Sequence, residues 1–315
     1  MAVFDADSRS VRTTASAYAE LVRVPNLFTA PPDVILGGAL ASAASAVIGT
    51  DTTVSLRALA GLAVGSILLY AGGTMLNDYF DAPQDADERP ERPIPSGRVS
   101  RPAALRFGLG LLGAGVVVSG VAAGLGGALV ASALAAAILL YDGALKGGPV
   151  GFLAMGSARG LNVLLGTTAA VGISLGSLPG WALAVPVVVA GYIAAVTYMA
   201  AEEATGAERR AVAVAGAGVV AATASALALV WSDGSGAPLA GSAFAVGFLA
   251  WTGRALVGAY RNPVPEVVGP AVGTCVVALV VLDAAFAAIA GVGWTLAVAA
   301  FLLPAVGLSR MFDVS

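Results

Sequence analysis

Residues 56–76 read LRALAGLAVGSILLYAGGTML, and residues 77–97, which follow directly, read NDYFDAPQDADERPERPIPSG. The first twenty-one positions hold one charge, Arg57; the next twenty-one hold eight. At a rise of about 1.5 Å per residue the apolar half makes a helix of roughly 30 Å, the thickness of a bilayer's hydrocarbon core. A membrane-spanning helix that ends abruptly in a charged loop is the reading that decides the fold.

The rest of the chain repeats that pattern. Hydrophobic residues make up 58% of the 315 positions, charged residues 11%, and the mean hydropathy is +0.89. A soluble domain carries about 25% charged residues. Apolar runs at 26–48, 56–76, 102–122, 125–141, 150–173, 181–200, 211–231, 241–260 and 267–289 predict nine spanning helices. A last run, 293–308, is either a tenth helix or the broken end of the ninth. The expected fold is therefore all-α, a polytopic transmembrane bundle. Residues 1–25 form a polar N-terminal segment without the apolar core of a signal peptide. Residues 26–310 form a single helical domain, with motif loops at 77–101, 142–149 and 201–210. The short connection around Gly124 makes the third and fourth spans an antiparallel hairpin, and the 41 glycines suit close helix approach.

Charge sets the orientation. Arginine and lysine cluster before the first span and after every even-numbered one, whereas the odd-numbered connections hold only Arg57. The positive-inside rule places the N-terminus and the motif loops in the cytoplasm, with a bacterial inner membrane as the expected location. Histidine is absent and Cys275 is the single cysteine, so imidazole chemistry and an intramolecular disulfide are excluded. No extended basic patch speaks for nucleic acid.

Within the charged stretch, Asn77, Asp81 and Asp85 are spaced i, i+4, i+8 and so share a helix face, with Asp78 beside it. Pro83 would break a helix interior, so the shared face is expected to hold only as far as Asp81 if the helix ends there. Carboxylates converging without cations at the same level repel one another. A Mg²⁺ ion, which prefers a couple of carboxylates plus phosphate oxygens, removes that repulsion. Arg89 and Arg92 follow within reach of phosphate oxygens. Acids for a metal and arginines for phosphate together make a diphosphate-binding constellation; the plainer reading is a solvated mixed-charge loop.

Asn77, Asp78, Asp81, Asp85, Arg89, Arg92, Pro93 and Gly97 resemble the first aspartate-rich motif of the UbiA superfamily of intramembrane prenyltransferases. The span count, the orientation and the lead-in Arg23-Val24-Pro25-Asn26-Leu27 are similar too. Tyr141-Asp142-Gly143-Ala144-Leu145-Lys146 and Met155-Gly156-Ser157-Ala158-Arg159-Gly160-Leu161-Asn162 look closest to the UbiA-like Ebo branch. The resemblance implies transfer of a prenyl group from an isoprenoid diphosphate to an aromatic or lipid-like acceptor in the membrane, with Mg²⁺ held by Asp78, Asp81, Asp85 and Glu203. Asp78, Asp81, Asp85 and Lys146 would be catalytic. Asn77, Arg89, Arg92, Tyr141, Arg159, Asn162 and Glu203 would bind substrate.

The second half departs from the family. After the sixth span, Ala200 and Ala207 stand where aspartates are usual, Glu203 keeps one acidic position, and Glu202 and Glu208 are near substitutes. Lys146 follows Tyr141 as in the family's diphosphate clamp, with one residue more between them. Arg159 lies deep in an apolar run, where it either faces a cavity with Asn162 or snorkels to the cytoplasmic end. Asp283 is expected near the outer lip, and Asp33 and Asn26 are placed where they could line a cavity. The degenerate second motif favours a different reading, a non-catalytic carrier of a lipophilic metabolite; the complete first motif opposes it. An alcohol phosphotransferase is disfavoured because its Asp-Gly-x-x-Ala-Arg signature is missing.

Overall fold

The computed structural model describes residues 16–49, 53–171, 175–203, 208–232 and 236–311. The long helices are α1 (Pro31–Ile48), α2 (Leu56–Glu88), α3 and α4 (the two legs of Arg101–Leu140), α5 (Pro149–Thr167), α6 (Gly180–Glu203), α7 (Arg209–Val230), α8 (Pro238–Arg261) and α9 (Pro265–Ala287). Two short helices follow, α10 (Val292–Ala299) and α11 (Leu302–Met311), and a single turn, Val24–Leu27, precedes α1. Apart from one antiparallel bridge between Val54 and Ala170, regular structure among the described residues is helical.

Proline opens α1, α3, α5, α8 and α9, where its fixed φ suits the first turn and its missing N–H is not needed. Ser55 caps α2 by accepting the Ala58 N–H at 3.2 Å. Seven helical stretches are long and apolar enough to cross a membrane, Arg101–Leu145 counting as one of them. That stretch reverses at Ala123 and Gly124, whose φ of 66° is left-handed backbone open to glycine. The reversal brings Gly120 against Ala128. The expected hairpin is therefore present, and it supplies two crossings. Counted so, eight legs among the described residues meet that length and hydropathy, and α5, whose apolar run is interrupted by Arg159 and Asn162, is a ninth long helix packed among them.

The last apolar run is not a continuation of α9. Gly291, at φ 107°, ends the 3₁₀ turn after α9. Trp294 of α10 then packs over Gly38 of α1, and α11 reaches the Val24–Leu27 turn. The run forms two short helices rather than one full spanning helix.

Two apolar clusters organise the bundle. One joins α1 and α5 to α6–α9; the other joins α1 and α5 to α2–α4. Both clusters hang on the α1–α5 contact, which is made by bare backbone. A Cβ added at Gly37 would sit 2.0 Å from the Val163 carbonyl oxygen, and one at Gly166 would sit 1.9 Å from that of Val34. Between the two halves lies a cavity of about 430 Å³.

Candidate functional site

α2 does not stop at Pro83. It runs on to Glu88, with the proline exposed inside it, and so carries the whole acidic motif beyond the apolar bundle. At about 100° per residue, Asp85 stands roughly 20° from Asp78 but 80° from Asn77. The expected single face accordingly divides into two.

Asp78 and Asp85 are buried, at 7% and 6% exposure. They face the N-terminal segment and the loop after α2. Arg23 donates to Asp78 Oδ1 at 2.9 Å, and Arg92 reaches Asp85 Oδ2 at 2.8 Å and Asp78 Oδ1 at 3.5 Å. Ile94 and Val99 anchor that loop in an apolar cluster with Ala17, Leu21 and Ala82, and Arg98 ties it to Glu20 at 2.7 Å. Asn77 and Asp81 turn the other way. Asn77 Nδ2 donates to Asp142 Oδ1 at 2.8 Å, and Lys146 Nζ to Asp81 Oδ1 at 2.6 Å. The expectation of carboxylates without cations at their level is thus corrected: each motif aspartate has a cation partner. Burial alone would lower the Arg23 pKa, but Asp78, supported by Tyr70 and Asp81, raises it above its ordinary value.

The one-residue excess between Tyr141 and Lys146 has a structural counterpart. Residues Tyr141–Leu145 form a π-turn at the end of α4. Such a turn absorbs an inserted residue without breaking the helix. Here it turns Asp142 inward, to 7% exposure, while Lys146 still reaches Asp81.

Asn77, Tyr141 and Lys146 line the mouth of the cavity, Leu69, Leu134 and Ile138 its wall, and Ser66, Arg159 and Asn162 its floor. Arg159 is no snorkelling residue. At 9% exposure it donates to Thr29 O at 3.0 Å and to Asp33 Oδ2 at 3.1 Å, and its guanidinium lies 5.3 Å from the Tyr70 ring centre. Asn162 donates to the same Asp33 oxygen at 2.8 Å and accepts from Ser66 at 2.7 Å. Asp33 lies behind this floor rather than on the cavity surface. Asp283 is not at an outer lip: it is wholly buried, close to Asp33 and Arg159.

Arg89 caps the end of α2 with an exposed side chain and does not line the cavity. Glu203 closes α6, its side chain outside the described residues, as are residues 204–207 with Ala207. Ala200 lines the cavity. Among the described residues no three acidic, histidine or cysteine groups converge as a ready-made metal cage. Two residues at the mouth escaped the site reading, Arg23 and Asp142. Asp142 had a signal, the extra residue before Lys146; the partner of Arg23 lies 55 positions away and has none.

The UbiA prenyltransferase family pattern matches residues 36–256. The chain is 35% identical to a digeranylgeranylglyceryl phosphate synthase of Methanopyrus kandleri over 52% of its length, and 42% identical to that of Methanoregula boonei over 38%. These matches span 54% and 42% of the relatives' own length, so the chain aligns with only about half of them. Among solved structures, a digeranylgeranylglyceryl phosphate synthase superposes with a TM-score of 0.62 at 20% identity, over 88% of this chain and 98% of that one. A UbiA homolog from Aeropyrum pernix K1 gives 0.60 at 22%, over 82% and 96%. A UbiA homolog from Archaeoglobus fulgidus bound to GPP and Mg²⁺ gives 0.54 at 14%, over 90% and 99%. At these identities the superpositions establish a shared fold, that of an integral membrane helical bundle. Family pattern and fold agree: the chain belongs to the UbiA prenyltransferase family.

Proposed function

We propose that the protein is a Mg²⁺-dependent prenyltransferase that moves a prenyl group from an isoprenoid diphosphate to an aromatic or lipid-like acceptor inside the membrane, with the motif end of the bundle in the cytoplasm. The observation that carries this reading is the mouth of the cavity. Arg23 and Lys146 line an apolar chamber while paired with motif carboxylates just outside it. The relatives named as synthases of a geranylgeranylated glyceryl phosphate support it, as does the neighbour that holds GPP with Mg²⁺.

The donor set fits the metal. Asp78, Asp81, Asp85 and Glu203 offer only hard oxygens, and Mg²⁺ uses one or two carboxylates and completes its shell from phosphate and water. When bound it neutralises charge developing on the leaving diphosphate. Arg23, Arg92 and Lys146 are the cations placed to exchange a carboxylate partner for phosphate oxygens, with Asn77 and Tyr141 beside them and Arg89 at the rim. The apolar wall takes the prenyl chain, at about 0.8 kcal/mol per buried methylene, and excludes water from a cation-like allylic carbon. Arg159 and Asn162 present polar groups to whatever reaches the floor.

A carrier that binds such a lipid without reacting is the second reading, favoured by Ala200, a methyl group on the cavity wall where the family carries an acid. Purified protein given labelled geranylgeranyl diphosphate together with a lipid extract of its own cells, which supplies the acceptor, separates the two. We expect diphosphate release that requires Mg²⁺ and falls at least about 10²-fold in Asp78→Ala. Tight binding without release would leave the carrier, and full activity in Asp78→Ala would remove the proposed role of the motif.

A further inference from the structure

We propose that Asp142 is the general base of the transfer and takes the proton of a hydroxyl acceptor. This rests on the prenyltransferase reading. Of the charged groups lining the cavity, Arg23, Asp142, Lys146 and Arg159, it is the one carboxylate among the described residues. The motif aspartates stand outside that lining and are held by Arg23, Arg92 and Lys146. Asp142 has no cation within ion-pair distance among the described residues. Its Oδ1 accepts from Asn77 at 2.8 Å, which fixes the carboxylate plane and leaves Oδ2 for a ligand. The groups that face it are Asn77 and Asp81 on α2, Tyr141 and Lys146 on its own turn, and Arg23 from the lead-in segment. It is 7% exposed, sheltered but open to the chamber.

A nucleophilic hydroxyl needs such a group. As its oxygen bonds to the allylic carbon, the carbon–oxygen bond to diphosphate breaks and its electron pair leaves on the diphosphate. The O–H bond breaks as well, and the proton passes to Asp142 Oδ2. The π-turn provides the means: the additional residue before Lys146 puts a carboxylate on the chamber wall without moving the lysine from Asp81.

The test uses membranes of the protein's own cells containing either the intact chain or Asp142→Asn, supplied with labelled geranylgeranyl diphosphate and Mg²⁺. Asparagine keeps the volume and the oxygen that Asn77 bonds, and loses only the basic site. We expect the intact chain to place label in a prenyl ether and Asp142→Asn to form it about 10²–10⁴-fold more slowly. Binding of geranylgeranyl diphosphate to the purified variant should stay within about threefold of the intact chain. The intact protein should also lose rate as pH falls and Asp142 takes up a proton, and the variant should lack that acid limb. Three results overturn the proposal: a variant rate within about threefold of the intact one, loss of diphosphate binding in the variant, or a carbon–carbon-linked product. An intact protein that forms no labelled product removes the prenyltransferase reading itself, a distinguishable outcome.

Discussion

Arg159 shows how one side chain settles the meaning of a helix. An arginine at the centre of a span costs about 3 kcal/mol even on lenient scales, and α5 tolerates it because Thr29 and Asp33 accept its donors. Asp33 in turn depends on Arg159 and Asn162, which both donate to its Oδ2. Removing the cation alone should leave a buried carboxylate nearly unsupported. Arg159→Leu is expected to cost about 3–5 kcal/mol, and the double change Arg159→Leu with Asp33→Leu to recover part of that. Thermal unfolding in detergent measures both; a single variant that melts with the parent would show that the pair does not hold the floor. The depth of Arg159 in its apolar run is plain in the sequence. Its partner, 126 positions earlier, is not.

The π-turn and the two-faced motif belong to the scale of the element. The i, i+4, i+8 spacing of Asn77, Asp81 and Asp85 marks a helix, but which residues share a face depends on what packs around it. The N-terminal segment and the loop after α2 claim Asp78 and Asp85; the π-turn claims Asn77 and Asp81. Deleting Ala144 should convert the π-turn to an ordinary helical turn, rotating Asp142 relative to Lys146 by about 100°. The contacts Asn77–Asp142 and Lys146–Asp81 could not then both form. We expect this deletion to weaken geranylgeranyl diphosphate binding about tenfold or more while the protein still inserts and extracts normally; unchanged binding in a titration would mean that the turn geometry is incidental. Pro83 was legible as a helix breaker and misleading as one. Its ring lies on an exposed face past the bundle, so the lost backbone bond is left to water rather than to lipid.

At the scale of the molecule, two helical groups meet along α1 and α5 and leave the chamber between them. The motif loops gather at one end, and the α3–α4 reversal and Gly124 lie at the other. The arginine bias is the ground for proposing that the motif end faces the cytoplasm. Cys275 is buried, so introduced cysteines can report on sidedness with little background. Ser96→Cys should react with an impermeant maleimide only from the cytoplasmic face, and Gly124→Cys only from the opposite face. The reverse pattern would invert the topology.

The chain by itself determined its class, the order of its apolar runs, the α3–α4 hairpin and the acidic motif. Hydrophobic length, turn residues and charge bias are local properties that lipid and water act on directly. Only the tertiary structure decided that each motif aspartate is matched by a cation, that Asp142 enters the chamber, that α2 continues through Pro83 and that Asp283 is interior. Those outcomes depend on pairs such as Arg23 with Asp78 or Asn77 with Asp142, 55 and 65 positions apart. Coulomb attraction and hydrogen bonding act at a few ångströms, and which residues come that close is set by helix packing, not by spacing along the chain.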